Sequence, residues 1–157
     1  MTSHTSTAEL GGTRATSGAL AESGELARYV VLVGRVLFAT IFISAAFGHF
    51  SKETIAYAAA AGVPLPGIAV PASGILSFLG GLSVLAGYRA RLGAWALVVF
   101  LVPVTLAMHN FWAVADPAMH QLQFVLFLKN LSILGGALVI TQLGAGPLSL
   151  DARAGRR

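Results

Sequence analysis

An all-α membrane protein, a four-helix transmembrane bundle with both termini cytoplasmic, is the fold class this sequence predicts. Three observations predict it. Four apolar runs, 30–47, 68–87, 92–108 and 124–143, follow a polar start, and each is near the roughly 17–25 residues a helix needs to cross a bilayer. Of the 157 residues, 56% are hydrophobic and 10% charged, against about 25% charged in an ordinary soluble domain. The basic residues gather on one side of the runs.

Residues 1–28 are rich in Ser, Thr, Gly and Ala and hold little that could form a core, which predicts a disordered cytoplasmic tail. Its length and its Glu9, Glu22 and Glu25 do not match a secretory signal. The membrane domain then spans 29–143, and 144–157 forms a basic cytoplasmic tail. With the amino terminus inside, the inner side holds Arg14, Arg28, Arg89, Arg91, Arg153, Arg156 and Arg157, and the outer side holds Lys52. That asymmetry is the positive-inside pattern. Arg35 lies close enough to the inner interface to snorkel back to it.

The connections agree with this threading. Gly87-Tyr88-Arg89-Ala90-Arg91 reads as a tight inner turn, whereas the outer connections 48–67 and 109–123 are longer. Pro71 falls in the first turn of the second span, and Pro103 inside the third should kink it. Phe47-Gly48-His49-Phe50 and Met108-His109-Asn110-Phe111 end the first and third spans in a similar way. Ser73, Ser77 and Gly81 in the second span, and Ser132 and Gly136 in the fourth, offer small-residue stripes for close helix packing.

Lys129 is the most informative single residue, because a lysine near the bilayer centre costs roughly 2.5–3.5 kcal/mol on insertion scales. It shares a helix face with Gln121, Val125, Ser132 and Gly136, a stripe expected to face the bundle interior or a wet outer cavity. Glu53 and Asp116 are its candidate ion-pair partners. Asn130 and Gln123 make an adjacent polar pair. His49, His109 and His120 fall at the outer boundary, where imidazoles bind quinone carbonyls, relay protons, ligate a metal or haem iron, or simply hydrogen-bond loop carbonyls. Trp112 reads as an interfacial anchor or the floor of an outer pocket. Lys129, Asn130, His49, His109 and Trp112 thus form the candidate ligand or quinone site, with no catalytic residue assigned.

Several chemistries are excluded. Without cysteine the chain builds no thiol–disulfide relay, Fe–S cluster or thiolate zinc site. Its histidine spacings match no metal motif, and no intrinsic cofactor is evident. The net charge of +4 comes from arginines flanking apolar runs, so it predicts no nucleic-acid partner. No phosphate loop or Ser–His–Asp elbow is present, and no Asp or Glu falls within a span, as a cation-coupled exporter would need.

Over Gly34–Thr141 the chain resembles the DoxX family of small bacterial four-helix membrane proteins. The resemblance rests on Gly34-Arg35-Val36-Leu37-Phe38, on Gly62-Val63-Pro64, and on Gly80-Gly81 with the turn Gly87 to Gly93. Most specific is Phe127-Leu128-Lys129-Asn130-Leu131-Ser132-Ile133-Leu134-Gly135-Gly136. The resemblance implies a bacterial inner-membrane, multi-pass protein; some members of that family are subunits of a thiosulfate:quinone oxidoreductase. The chain departs from it in having Ser77 where many members carry an acidic residue, and His49 where many have lysine. The leading expectation is a quinone-contacting or anchoring subunit of a membrane oxidoreductase system. It would lie in the lipid bilayer with a soluble redox-protein partner, or with further copies of itself. A non-catalytic scaffold and a small-solute transporter are the alternatives.

Overall fold

Several helices begin or end on a local device written in the sequence. The computed structural model describes the backbone of residues 6–155 and the side chains of residues 23–155. Helix α1 runs Ser6–Ala46 and is followed by a 3-10 turn, Phe47–Phe50. Then come α2 (Lys52–Ala60), α3 (Pro66–Ala86), α4 (Ala90–Met108), a second 3-10 turn (Phe111–Ala113), α5 (Pro117–Leu143) and a short α6 (Leu150–Ala154). Among the described residues there is no strand, and four helices are long and apolar enough to cross a membrane. The expected tail over 1–28 falls mostly on residues whose side chains lie outside the described ones, and Arg14, Arg156 and Arg157 lie there too.

Capping moves several boundaries from where hydropathy alone puts them. Ser51 accepts a hydrogen bond from Thr54 N and starts α2 inside the outer connection. Asp116 accepts from Met119 N at 2.8 Å with Pro117 in the first turn, so α5 starts seven residues before the apolar run does. Pro66 likewise opens α3, which puts Pro71 inside the helix and leaves the Gly67 carbonyl without its usual donor. The α3–α4 turn is a Schellman motif. Gly87 has φ +65°, Tyr88 N donates to Ser83 O, and Gly87 N donates to Val84 O.

Close approach of backbones builds the core. Helix α3 packs on both α1 and α4, and α4 packs on α5. The buried cluster of Ala39, Phe42, Val84, Ala94, Leu97, Phe100 and Leu101 lies where α1, α3 and α4 meet. Ser77 is fully buried and donates to Phe42 O at 3.3 Å, and Gly81 lies against Phe42 and Ala39, so the small-residue stripe of α3 faces α1. On α5 the packing face is instead Gln123, Asn130, Ala137 and Thr141. Lys129 and Ser132 sit on the exposed side of that face, so of the two placements expected for their stripe the bundle interior is not the one observed. Large apolar side chains such as Leu37, Val99 and Leu143 remain uncovered, as lipid-facing surfaces require. The spans α1 and α5 barely touch, which leaves a seam along the bundle.

The segment after α5 is docked onto the bundle. Gly144 and Gly146 take positive φ and turn the chain back, and Ser149 caps α6 by accepting from Ala152 N. Asp151 then caps α4 across the turn, accepting from Arg89 N at 2.7 Å and Ala90 N at 3.0 Å. In return its own N–H donates to Gly87 O at 2.8 Å. Arg35 is only 7% exposed and does not snorkel to solvent. It donates from Nη1 to Ala145 O at 2.5 Å and from Nη2 to Leu148 O at 2.7 Å. The described part of the expected basic tail is therefore a clamp at what we call the arginine end of the bundle.

Candidate functional site

The opposite, histidine end carries the chemistry-bearing residues. The 3-10 turn after α1 turns His49 inward, and Gly74 of α3 makes room for it: a Cβ on Gly74 would stand 2.6 Å from His49 Cβ. The His49 ring donates from Nδ1 to Ala45 O at 3.1 Å, which leaves Nε2 as an acceptor in the neutral ring. It also lies at a tilt to the Phe100 ring, 5.6 Å between centroids. His109 ends α4 and donates from Nδ1 to Gln123 Oε1 at 2.8 Å. Gln123 Nε2 donates in turn to the Tyr57 hydroxyl at 3.1 Å. That chain ties α4, α5 and α2 together.

His49, His109, Lys129 and Asn130 line one cavity of about 160 Å3, with Ser77 and Phe100 in its walls. Helices α1, α3, α4 and α5 all contribute to it. His49 also borders a second, larger cavity of about 340 Å3 beneath the 62–64 loop, walled by Val70, Pro103 and Met108 among others. Lys129 reaches the first cavity from its α1–α5 side, about 18 Å along α5 at 1.5 Å per residue. Asn130 is 7% exposed. Among the described residues, neither the Lys129 ammonium nor the Asn130 amide has an ion-pair or hydrogen-bond partner.

Other expected site residues are placed elsewhere. No ion pair joins Lys129 to Glu53 or Asp116; Glu53 is exposed in the first turn of α2, and Asp116 is occupied as the α5 cap. Trp112 does not line the cavity. It is 57% exposed and packs edge-on against Phe111 and Phe127, 5.2 and 6.0 Å between centroids. His120 joins the same aromatic cluster, edge-on to Phe111 at 5.6 Å. Arg89, Arg91 and Arg153 sit at the arginine end. Among the described residues, no three of His, Asp or Glu come together as a metal-holding group.

Sequence reasoning missed Tyr57 and Gly74, and saw Gln123 only as a polar neighbour. Gln123 and Asn130, seven residues apart on an otherwise apolar helix, were the available signal for a buried polar face. Nothing in the local sequence marks Tyr57, because its partner is 66 residues away.

Four membrane-length helices with apolar exteriors define a multi-pass helical membrane protein. The chain belongs to the SURF4 family, whose model matches residues 11–156. It is 33% identical over 123 residues to inner membrane protein YqjF of Escherichia coli, covering 77% of this chain and 88% of that one. It is 25% identical over 126 residues to inner membrane protein YphA of the same organism, covering 79% and 89%. ER-derived vesicles protein ERV29 of Saccharomyces cerevisiae is 27% identical over 123 residues, covering 78% of this chain and 33% of the yeast protein. No solved structure matches the chain.

The family match corrects the resemblance to the DoxX family. Several of the residues behind that resemblance have packing or turn roles in this fold. Arg35 holds the clamp, Gly87 makes the α3–α4 turn, Asn130 is on the packing face, and Gly136 lies under Phe38. None of the relatives' descriptions assigns a redox role. The quinone-subunit expectation therefore goes forward only as a question of ligand binding.

Proposed function

We propose that this protein binds a lipophilic molecule with a compact polar head, of the quinone type, in the cavity at its histidine end. The single observation that carries this reading is the pair of partnerless donors, Lys129 and Asn130, on the wall of a cavity that His49 and His109 also line. A carbonyl oxygen placed there receives a charge-assisted hydrogen bond from Lys129. His49 Nε2 is available to accept from a hydroxyl on a reduced head. The adjoining apolar cavity of about 340 Å3 offers room for ring substituents or the first part of a tail. The reading concerns binding, and it requires no electron transfer by this chain.

The two Escherichia coli relatives, both described as inner membrane proteins, support a bacterial inner membrane as the location. The arginine excess supports a cytoplasmic arginine end. The binding proposal is tested by purifying the full chain in mild detergent and quantifying co-purified quinone. A charge-assisted hydrogen bond is worth roughly 1.5–3 kcal/mol, so Lys129→Ala should lower occupancy about tenfold or more at limiting quinone. Unchanged occupancy in Lys129→Ala ends the proposal. Quinone-free protein whose Lys129→Ala variant differs only in abundance leaves the scaffold reading in its place.

A further inference from the structure

The histidine-end cavity has a hydrogen-bonding polarity, set by the partner of each imidazole Nδ1. Two histidines line it, His49 and His109. The Nδ1 of His49 faces the Ala45 carbonyl at 3.1 Å. A carbonyl only accepts, so the proton of the neutral ring is on Nδ1, and Nε2 is an acceptor. The Nδ1 of His109 faces Gln123 Oε1 at 2.8 Å, while Gln123 Nε2 is engaged with the Tyr57 hydroxyl. The amide therefore presents its accepting end to His109 as well, and His109 Nε2 is a second acceptor.

Both acceptors are free for a ligand. Neither Nε2 has a hydrogen-bond partner among the described residues, and neither is closed over by protein atoms. The Asn130 amide is open in the same sense, in a residue only 7% exposed. Lys129 adds donors, which suit any oxygen lone pair, whether of a carbonyl or of a hydroxyl. The imidazoles are more demanding. A hydroxyl satisfies one by donating its proton, and its oxygen still accepts from Lys129. A carbonyl has no proton to give, so the imidazole beside it is left unpaired, with two sets of lone pairs facing each other.

We infer that the site selects the reduced, hydroxyl-bearing form of its ligand, a hydroquinone-type head, over the oxidised dicarbonyl form, and that His49 sets the preference. His49 has this role because a backbone carbonyl cannot turn, whereas the Gln123 amide can exchange its two ends. His49 also borders both cavities, so a head at their junction meets it. Selection of this kind rests on the quinone-type site proposed above, which by itself favours neither oxidation state. Only binding is involved, with no electron transferred.

The test titrates the full chain in mild detergent with a quinone bearing a ten-carbon tail and, without oxygen, with its two-electron-reduced form. Both are read by calorimetry at about pH 8, above the usual range of imidazole protonation. One acceptor left unpaired in the occupied cavity should make the oxidised form bind about tenfold or more weakly than the reduced form. His49→Gln sets an amide, which donates as well as accepts, near the place of the ring. The oxidised form should then bind more tightly than it does to the unaltered chain, and the difference should narrow to about threefold or less. Damage to the fold alone would weaken both forms. Lys129→Ala should weaken both alike and keep their ratio. Equal affinities in the unaltered chain, or tighter binding of the oxidised form, overturn the inference and leave the site itself standing. So does a ratio that His49→Gln leaves unchanged. Binding of neither form removes the proposed site, and the inference with it.

Discussion

The two ends of the bundle handle polar residues in opposite ways. At the arginine end, Arg35 and Asp151 give most of their hydrogen-bonding capacity to backbone groups, closing the 144–155 segment over the α3–α4 turn. At the histidine end, His109, Gln123 and Tyr57 bond to one another and hold three helices together, while Lys129 and Asn130 have no partner among the described residues and stand beside a cavity. A residue satisfied by backbone is committed to the fold, and a residue left open on a cavity wall is available to a ligand. The contrast teaches that charge inside a membrane span has two readings, and the partners decide between them. Arg35 and Lys129 look alike in the sequence, since each is the one Lys or Arg in its apolar run, 30–47 and 124–143.

Substitutions can break that contrast, and the largest effect belongs to the clamp. Arg35→Ala removes two charge-assisted hydrogen bonds and orphans the Ala145 and Leu148 carbonyls. With each bond worth roughly 1.5–3 kcal/mol, the loss should be about 3 kcal/mol, seen as a lowered thermal midpoint and faster protease cleavage in 144–155. Next comes Gly74→Ala, whose added methyl meets His49 Cβ at 2.6 Å. Overpacking of this kind costs about 1–3 kcal/mol, and it should also displace His49 and lower quinone occupancy. An unaltered midpoint together with unaltered occupancy would show that His49 is not held by this contact.

Asp151→Ala should have a smaller effect, about 1 kcal/mol for one lost helix cap, measured by denaturation, with the histidine-end cavity unaffected. The smallest belongs to Lys129→Ala. Its stability should hold or rise, because a partnerless cation is removed from a membrane span, although its quinone occupancy falls. If Lys129→Ala destabilises the protein as much as Arg35→Ala, the distinction between the two ends fails.

Much of the fold was legible because the bilayer constrains it so strongly. Apolar runs of spanning length leave a chain few options besides helices, so the four helices follow directly. Their ends were less legible where capping competes with hydropathy, as at Asp116-Pro117 and Ser51. The candidate site was half legible. His49, His109, Lys129 and Asn130 stand out as polar residues at one end of an apolar protein, and they do share a cavity. The Lys129 partners were not legible, because Glu53 and Asp116 were chosen for charge alone, and Asp116 has a local use that outcompetes a distant lysine. Family assignment went astray for a related reason. Short motifs around turns and glycines report the demands of helix packing, which different families can share, whereas the match over 11–156 integrates nearly the whole chain.

By itself the sequence determined the solvent, the secondary structure and the uneven distribution of arginines, since each depends on composition and on residues close together in the chain. Tertiary structure decided which face of α5 packs, that the last segment docks, and which lone cation is sealed and which stays open. Those outcomes rest on pairs far apart in sequence, such as Arg35 with Ala145 and Gly74 with His49. Whether such pairs form depends on how four helices rotate and approach one another, and no single helix carries that information.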